Sequence, residues 1–196
     1  MSSILMKSLA AASLSAYAET KFAPTLFVTP SDGAPSPLFL VTPTVLLGVG
    51  FFAILHGTKV GAARRKYTQL AKEDGEPDAE ERYGLPNLYV DGNSKYARAF
   101  NAVQRSHQHI METFPTAILG GLLGAYQFPI TTAISTLLYT TGRIALSMSY
   151  AKCEGDASKR YENPLGRYMW SGLLGNVVLG FLSAVTTLAT AKVFAS

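Results

Sequence analysis

The sequence predicts an all-α integral membrane protein, a four-helix bundle, and three observations predict it. Nearly half of the 196 residues are hydrophobic and only 15% are charged, against about 25% in soluble domains. Four stretches of apolar, helix-period sequence begin near residues 43, 93, 129 and 164, each long enough to reach across a bilayer. Lysine and arginine gather at the ends of these stretches, as loop charges of membrane proteins do.

The same basic residues argue against nucleic acid. The net charge is +4, but no basic surface interleaved with aromatics carries it, so it reads as topology. Cys153 is the only cysteine, so there is neither an internal disulfide nor a cysteine-based metal site. No zinc-type spacing and no Gly-rich phosphate loop occurs, and no metal is expected. Length allows one domain, 38–196, behind an N-terminal segment of 1–37.

That segment supports three readings. Ala16-Tyr17-Ala18 fits a signal-peptide cleavage site, although serines and Lys7 weaken the apolar core before it. The first eighteen residues have five serines and no acid, which suits an organelle transit peptide. A disordered tail is the third. Pro24, Pro30, Pro35 and Pro37 mark 22–37 as a linker.

The first membrane helix is expected over 43–67, with Thr42 as its cap and Pro43 in its first turn. At 1.5 Å per residue it measures about 37 Å, enough to span and protrude. It turns basic at Arg64, Arg65 and Lys66. Residues 68–92 are dense in charge and contain Pro77 and Pro86, which predicts a solvated loop. The second helix is expected from Asn93 or Ser94 to Tyr126, bent near Met111 by Pro115. Gly120 and Gly124 form a G-x-x-x-G that permits close helix contact. After a turn at 127–129, Pro129 opens a third helix to Ala151. Residues 152–162 form a polar loop. Asn163 and Pro164 then start a fourth helix to Phe194. Tyr161, Tyr168 and Trp170 fit an interfacial aromatic belt. Loops 56–98 and 151–167 hold most of the lysines and arginines, which places them in the cytosol and both termini opposite.

Chemistry concentrates in 100–115, FNAVQRSHQHIMETFP. Arg105, His109 and Glu112 lie at i, i+4 and i+7, on one helical face, with Gln108 beside them and His107 rotated away. A charge at the bilayer centre costs about 2.5–3.5 kcal/mol. Two readings follow: a polar ligand held between helices at the membrane edge, or a helix end whose charges are solvated. Arg64, Arg65, Tyr150, Lys159 and Arg160 reach the same cytosolic level from other segments. Guanidinium groups suit carboxylates, and Glu112 suits an ammonium, so the fitting ligand is a peptide-like zwitterion. Arg143 reads as a structural charge paired with Glu112 or a helix end.

Three stretches carry a resemblance. They are Ala63-Arg64-Arg65-Lys66-Tyr67, the string F-N-x-x-Q-R-x-H-Q-x-x-x-E-x-x-P over 100–115, and 142–160 ending in Ser158-Lys159-Arg160. Together they resemble the membrane-associated proteins in eicosanoid and glutathione metabolism (MAPEG), above all microsomal glutathione S-transferases of the third type, over residues 43–194. The resemblance implies a homotrimer with glutathione at each subunit interface. A lipophilic electrophile or lipid hydroperoxide reaches it from the membrane lipid. By that likeness Arg105 and Glu112 grip glutathione, His107 stands where the family has Gln or His, and Arg64 and Tyr150 contact the ligand. Lys159 or Arg160 contacts a carboxylate or the thiol region. Arg65 is the catalytic residue, stabilising the thiolate. Three positions depart from the pattern: His109 replaces a usual asparagine, and Thr113 and Leu146 replace tyrosines.

The function implied is a membrane glutathione transferase or peroxidase, with glutathione as substrate. A non-catalytic family-like member that binds lipid or serves as an accessory subunit is the alternative, since the family includes a lipoxygenase-activating protein. A small transporter would need charges near the midplane of more than one helix, and only Arg143 comes close. The endoplasmic reticulum is the family's usual membrane, while residues 1–21 could redirect the chain to a plastid or mitochondrion.

Overall fold

The computed structural model describes residues 2–22, 36–84 and 87–190, and among them every regular element is helical. Six α-helices follow one another: α1 (Ser2–Phe22), α2 (Val41–Glu73), α3 (Ala79–Gly84), α4 (Lys95–Gln127), α5 (Pro129–Lys152) and α6 (Tyr168–Thr190). Short 3-10 turns at Pro37–Leu40, Ala157–Tyr161 and Pro164–Arg167 connect them. The four expected membrane helices correspond to α2, α4, α5 and α6. Two described stretches, Pro37–Glu73 and Pro164–Thr190, are long and apolar enough to cross a membrane by length and composition. Residues 23–35 of the expected linker, Pro86, and the expected helix end at Phe194 lie outside the described residues.

Several boundaries differ from expectation for visible reasons. Thr42 does not cap α2. It is a fully buried residue inside the helix, and Ser36 caps the preceding turn by accepting from Leu38 N at 3.3 Å. α2 continues six residues past Tyr67, because 68–73 hold no Gly or Pro to stop it. Asn163 does open the last segment, its Oδ1 accepting from Leu165 N at 3.0 Å. Ser94 starts α4, its Oγ accepting from Ala97 N at 3.1 Å. Where a targeting segment or tail was expected, residues 2–22 form the helix α1.

Contacts divide the chain into two compact units. The first comprises Met1–Val49, Thr113–Gly142 and Arg167–Ser196. It is built on small residues. A Cβ on Gly120 would lie 2.7 Å from Asn176 O, and one on Gly180 would lie 2.9 Å from Gly120 Cα. The G-x-x-x-G of α4 therefore does seat α6 at backbone distance. Gly172 of α6 meets the Tyr139 backbone nitrogen and the Ser135 carbonyl of α5, and Ser135 Oγ donates to Gly172 O at 3.0 Å. Thr136 Oγ1 donates to Asn176 Oδ1 at 3.2 Å. Gly172→Leu is expected to destabilise the protein by on the order of 3 kcal/mol, since no rotamer relieves a clash with backbone. An unchanged thermal midpoint in detergent would show that α5 and α6 can separate freely.

The second unit comprises Gly50–Glu112 and Arg143–Gly166. Its core joins Ala63, Tyr67 and Ala71 of α2 to Tyr83, Val90, Phe100 and Val103. The expected solvated loop is thus a folded segment. Tyr83 is fully buried, sits edge-on to Phe100, and donates its hydroxyl to Glu76 at 3.1 Å. Arg82 pairs with Glu76 at 3.1 Å. Charge density hid this packing, because the same segment alternates ions with Ala71, Ala79, Tyr83 and Val90, which turn inward.

Candidate functional site

α4 builds the site by two kinds of side chain on adjoining faces. Asn101, Gln104 and Gln108 reach back to the segment before the helix. Asn101 accepts from Val90 N at 2.7 Å and donates to Val90 O at 2.8 Å. Gln104 Nε2 donates to Asn87 O at 2.6 Å and also to Leu88 O, while Gln108 Nε2 donates to Leu88 O at 2.9 Å. Three amides of the conspicuous motif are therefore clamps that hold 87–90 against α4. Beside them Arg105 and Glu112 form a two-point ion pair, with Nη2 to Oε2 at 3.0 Å. Both side chains are half exposed.

A cavity of about 830 Å³ opens over this face, within the range of small-molecule sites. Arg105, His107, Glu112 and Tyr150 all line it, with Arg98, Asn101, Gln108, Met111 and Cys153. Tyr150 and Cys153 come from the end of α5 and the residue after it. Gly155 closes one side with φ +86°, and a Cβ there would strike Arg98. Glycine meets both demands at once.

The remaining expected residues are placed elsewhere. Arg64 donates to Tyr83 O at 2.8 Å and to Gln104 Oε1 at 3.4 Å, with its guanidinium 5.1 Å from the Phe100 ring. It braces α3 and does not line the cavity. Arg65 is exposed on α2, and Lys159 and Arg160 are exposed in the Ala157–Tyr161 turn; none of the three lines the cavity. His107, expected to point away, lines it, whereas His109 turns to Arg143. The expected Arg143–Glu112 pair is replaced: Arg143 is fully buried, and its Nη1 donates to His109 Nδ1 at 3.1 Å and to His109 O at 3.2 Å. Its Nε donates to Ser147 Oγ at 3.3 Å. The two departures from the tyrosine pattern are also inside: Leu146 is buried, and Thr113 Oγ1 lies 3.1 Å from the Tyr139 hydroxyl.

Sequence reasoning missed Arg98, Asn101, Met111 and Cys153. Asn101 carried a signal, standing in the quoted motif; Cys153 carried none, since only folding brings the start of that loop to α4. Burial pushes the Cys153 thiol above its usual range. Its alkylation should therefore be slow near neutral pH and accelerate only above about pH 8.5, the ordinary thiol value. Maleimide labelling as rapid at pH 7 as that of free cysteine would show an open thiolate. Among the described residues no three His, Cys, Asp or Glu side chains are grouped to hold a metal ion.

Two long apolar helices and a cavity walled by α4 and the end of α5, with an ion pair at its edge, define a helical membrane protein with a candidate small-molecule site. The MAPEG family model matches residues 40–188. The chain belongs to the MAPEG family, whose members include glutathione transferases and peroxidases as well as proteins without transferase activity.

Proposed function

We propose that this protein is a membrane-bound glutathione transferase or peroxidase of the third microsomal type, working as a homotrimer of four-helix subunits, with the endoplasmic reticulum as its default membrane. One observation carries the reading: Arg105, His107 and Glu112 of the motif and Tyr150 of the 142–160 stretch line one cavity. Glutathione supplies two carboxylates for guanidinium groups and one ammonium for Glu112. The Arg105–Glu112 pair is pre-set for that exchange, because each member already faces a partner of the sign the ligand offers.

The chemistry needs a thiolate. A free thiol has a pKa of about 8.5, so most of it is protonated at neutral pH. A guanidinium beside the sulfur favours the anion, and Arg65 is the residue proposed for it. The thiolate attacks an electrophilic carbon, forming a C–S bond as a leaving group departs with the electron pair of the bond it breaks. Alternatively it attacks a hydroperoxide oxygen, breaking the O–O bond and releasing an alcohol; a second glutathione then completes the disulfide and water leaves. No protein nucleophile is required, and positioning and electrostatics supply the rate.

A second reading, a non-catalytic member that binds lipid or serves as an accessory subunit, is favoured by the placement of Arg64 and Arg65. Arg64 is committed to Tyr83 O, and Arg65 does not line the cavity of its own chain. Titrating the detergent-purified protein with glutathione, while following thiolate absorbance and conjugation of a generic electrophile, separates the two. Thiolate with turnover supports the enzyme; binding without thiolate supports a pocket that lacks the chemistry. Glu112→Gln is expected to weaken glutathione binding about 10-fold or more, the loss of one charge-assisted contact. Unchanged affinity by calorimetry would remove Glu112 from the site.

A further inference from the structure

We propose that α1 is a fifth membrane-embedded helix of the folded protein, with its outer face against lipid acyl chains and its start on the same side of the membrane as the basic 151–167 segment. α1 packs against α6. Ala12 and Ala16 are buried with Phe128 and Leu179, and Val178 and Leu182 pack against the same cluster. Those α6 residues lie within Pro164–Thr190, a stretch long and apolar enough to span a membrane. A helix laid along them sits at hydrocarbon depth. α1 is 21 residues long, about 31 Å at 1.5 Å per residue, which matches a core of about 30 Å.

The distribution of its side chains fits lipid on the outside. The inward residues Ser8, Ala12, Ala16 and Glu19 repeat at i, i+4, i+8 and i+11 and are small or polar. The outward face carries the large apolar side chains, with Met6, Leu14 and Tyr17 each more than half exposed, interspersed with Ala10, Ser13 and Ser15. A helix in water shows the opposite pattern, whereas small residues inside and bulky apolar ones outside mark helix contacts in a bilayer. Residues 8–18 hold no charge. The one acid on the inner face is satisfied: the Glu19 carboxylate accepts from Ile130 N at 3.0 Å and from Thr131 N at 2.8 Å. It thereby takes two of the free N–H groups at the start of α5.

Direction follows from the same contacts. Glu19 meets the first turn of α5, while Lys7 and Ser8 share a cavity with Leu138 and Ser171, further along α5 and near the start of α6. α1 therefore runs parallel to α6 and antiparallel to α5. Its first residues lie at the end of α6 that joins the 151–167 segment. Phe22 lies at the end that carries the α4–α5 turn, and Thr42 and Leu46 of α2 pack near that end, at Gly121. This revises the topology expected from loop charge, since Lys7 joins the basic side.

The test uses the full chain in sealed vesicles, with single cysteines on a Cys153→Ser background and a membrane-impermeant maleimide. Ser3→Cys and Ser158→Cys are expected to label from one side and Phe22→Cys from the other, with Leu14→Cys silent from both. The double variant Ala12→Cys, Leu179→Cys should form an intramolecular disulfide under mild oxidation. Intact mass of the membrane-purified wild type should include residues 2–22. Any of four results overturns the proposal: a mature chain lacking residues up to Ala18, Ser3→Cys and Ser158→Cys labelling from opposite sides, ready labelling of Leu14→Cys, or no Ala12–Leu179 cross-link.

Discussion

Replacing Arg65 by alanine is expected to lower glutathione-dependent turnover by about 10²–10³-fold, the usual loss when one preorganised charge-stabilising donor is removed. Glutathione affinity should change little, because the ion pair and Tyr150 that line the cavity remain. The expectation rests on the proposal that the sulfur ends near this guanidinium. Geometry adds a condition. Arg65 is exposed on α2 and does not line the cavity of its own chain, so a second subunit of the proposed trimer must supply it. Co-expressing Arg65→Ala with Arg105→Met chains tests this directly. If each site draws Arg105 from one subunit and Arg65 from another, mixed trimers regain sites with both residues and turnover rises above that of either variant alone. Wild-type turnover in Arg65→Ala itself would end the thiolate role, and inactive mixed trimers would end the shared site.

Arg143→Leu is expected to cost on the order of 3 kcal/mol of stability. A buried guanidinium is tolerable where its donors find acceptors, as Nε and Nη1 do. Here the His109 ring, the His109 carbonyl and the Ser147 hydroxyl meet Arg143 within 3.3 Å. Leucine deletes the charge and strands those acceptors, and each buried polar group left unpaired costs about 1–3 kcal/mol. Arg accepts no hydrogen bond, so His109 Nδ1 must be the acceptor and its ring proton sits on Nε2. Arg143→Lys keeps the charge and loses the fork, and should fall between wild type and Arg143→Leu. Ser147→Ala should cost about 1 kcal/mol. Thermal unfolding in detergent, with and without glutathione, checks the order. Equal midpoints for wild type and Arg143→Leu would show that the guanidinium stabilises nothing it touches.

The motif shows what periodicity can and cannot resolve. Reading i, i+4 and i+7 correctly put Arg105 and Glu112 on one face, and the structure joins them in an ion pair. The same reading set His109 on that face and turned His107 away, whereas His107 lines the cavity and His109 meets Arg143. A helical wheel picks a narrow stripe, but the cavity is lined by a broad arc of α4, from Ala102 through Arg105 to His107. At the edge of that arc, what the neighbouring helix offers decides, and α5 offers His109 a buried arginine. The roles of Asn101, Gln104 and Gln108 were equally invisible, because their partners are backbone groups 11 to 20 positions earlier in the chain.

Sequence alone was sufficient for the helical class, the four long helices to within a few residues of most ends, and the family. Those properties are local: apolar runs, prolines, caps and a dense motif act over one or two turns. Only the tertiary structure could decide which polar side chains share a cavity, that the charged segment after α2 is folded around Tyr83, and that α1 is latched to α5 through Glu19. Each depends on groups far apart in the chain meeting at hydrogen-bond distance, where desolvation penalises every donor left unmatched.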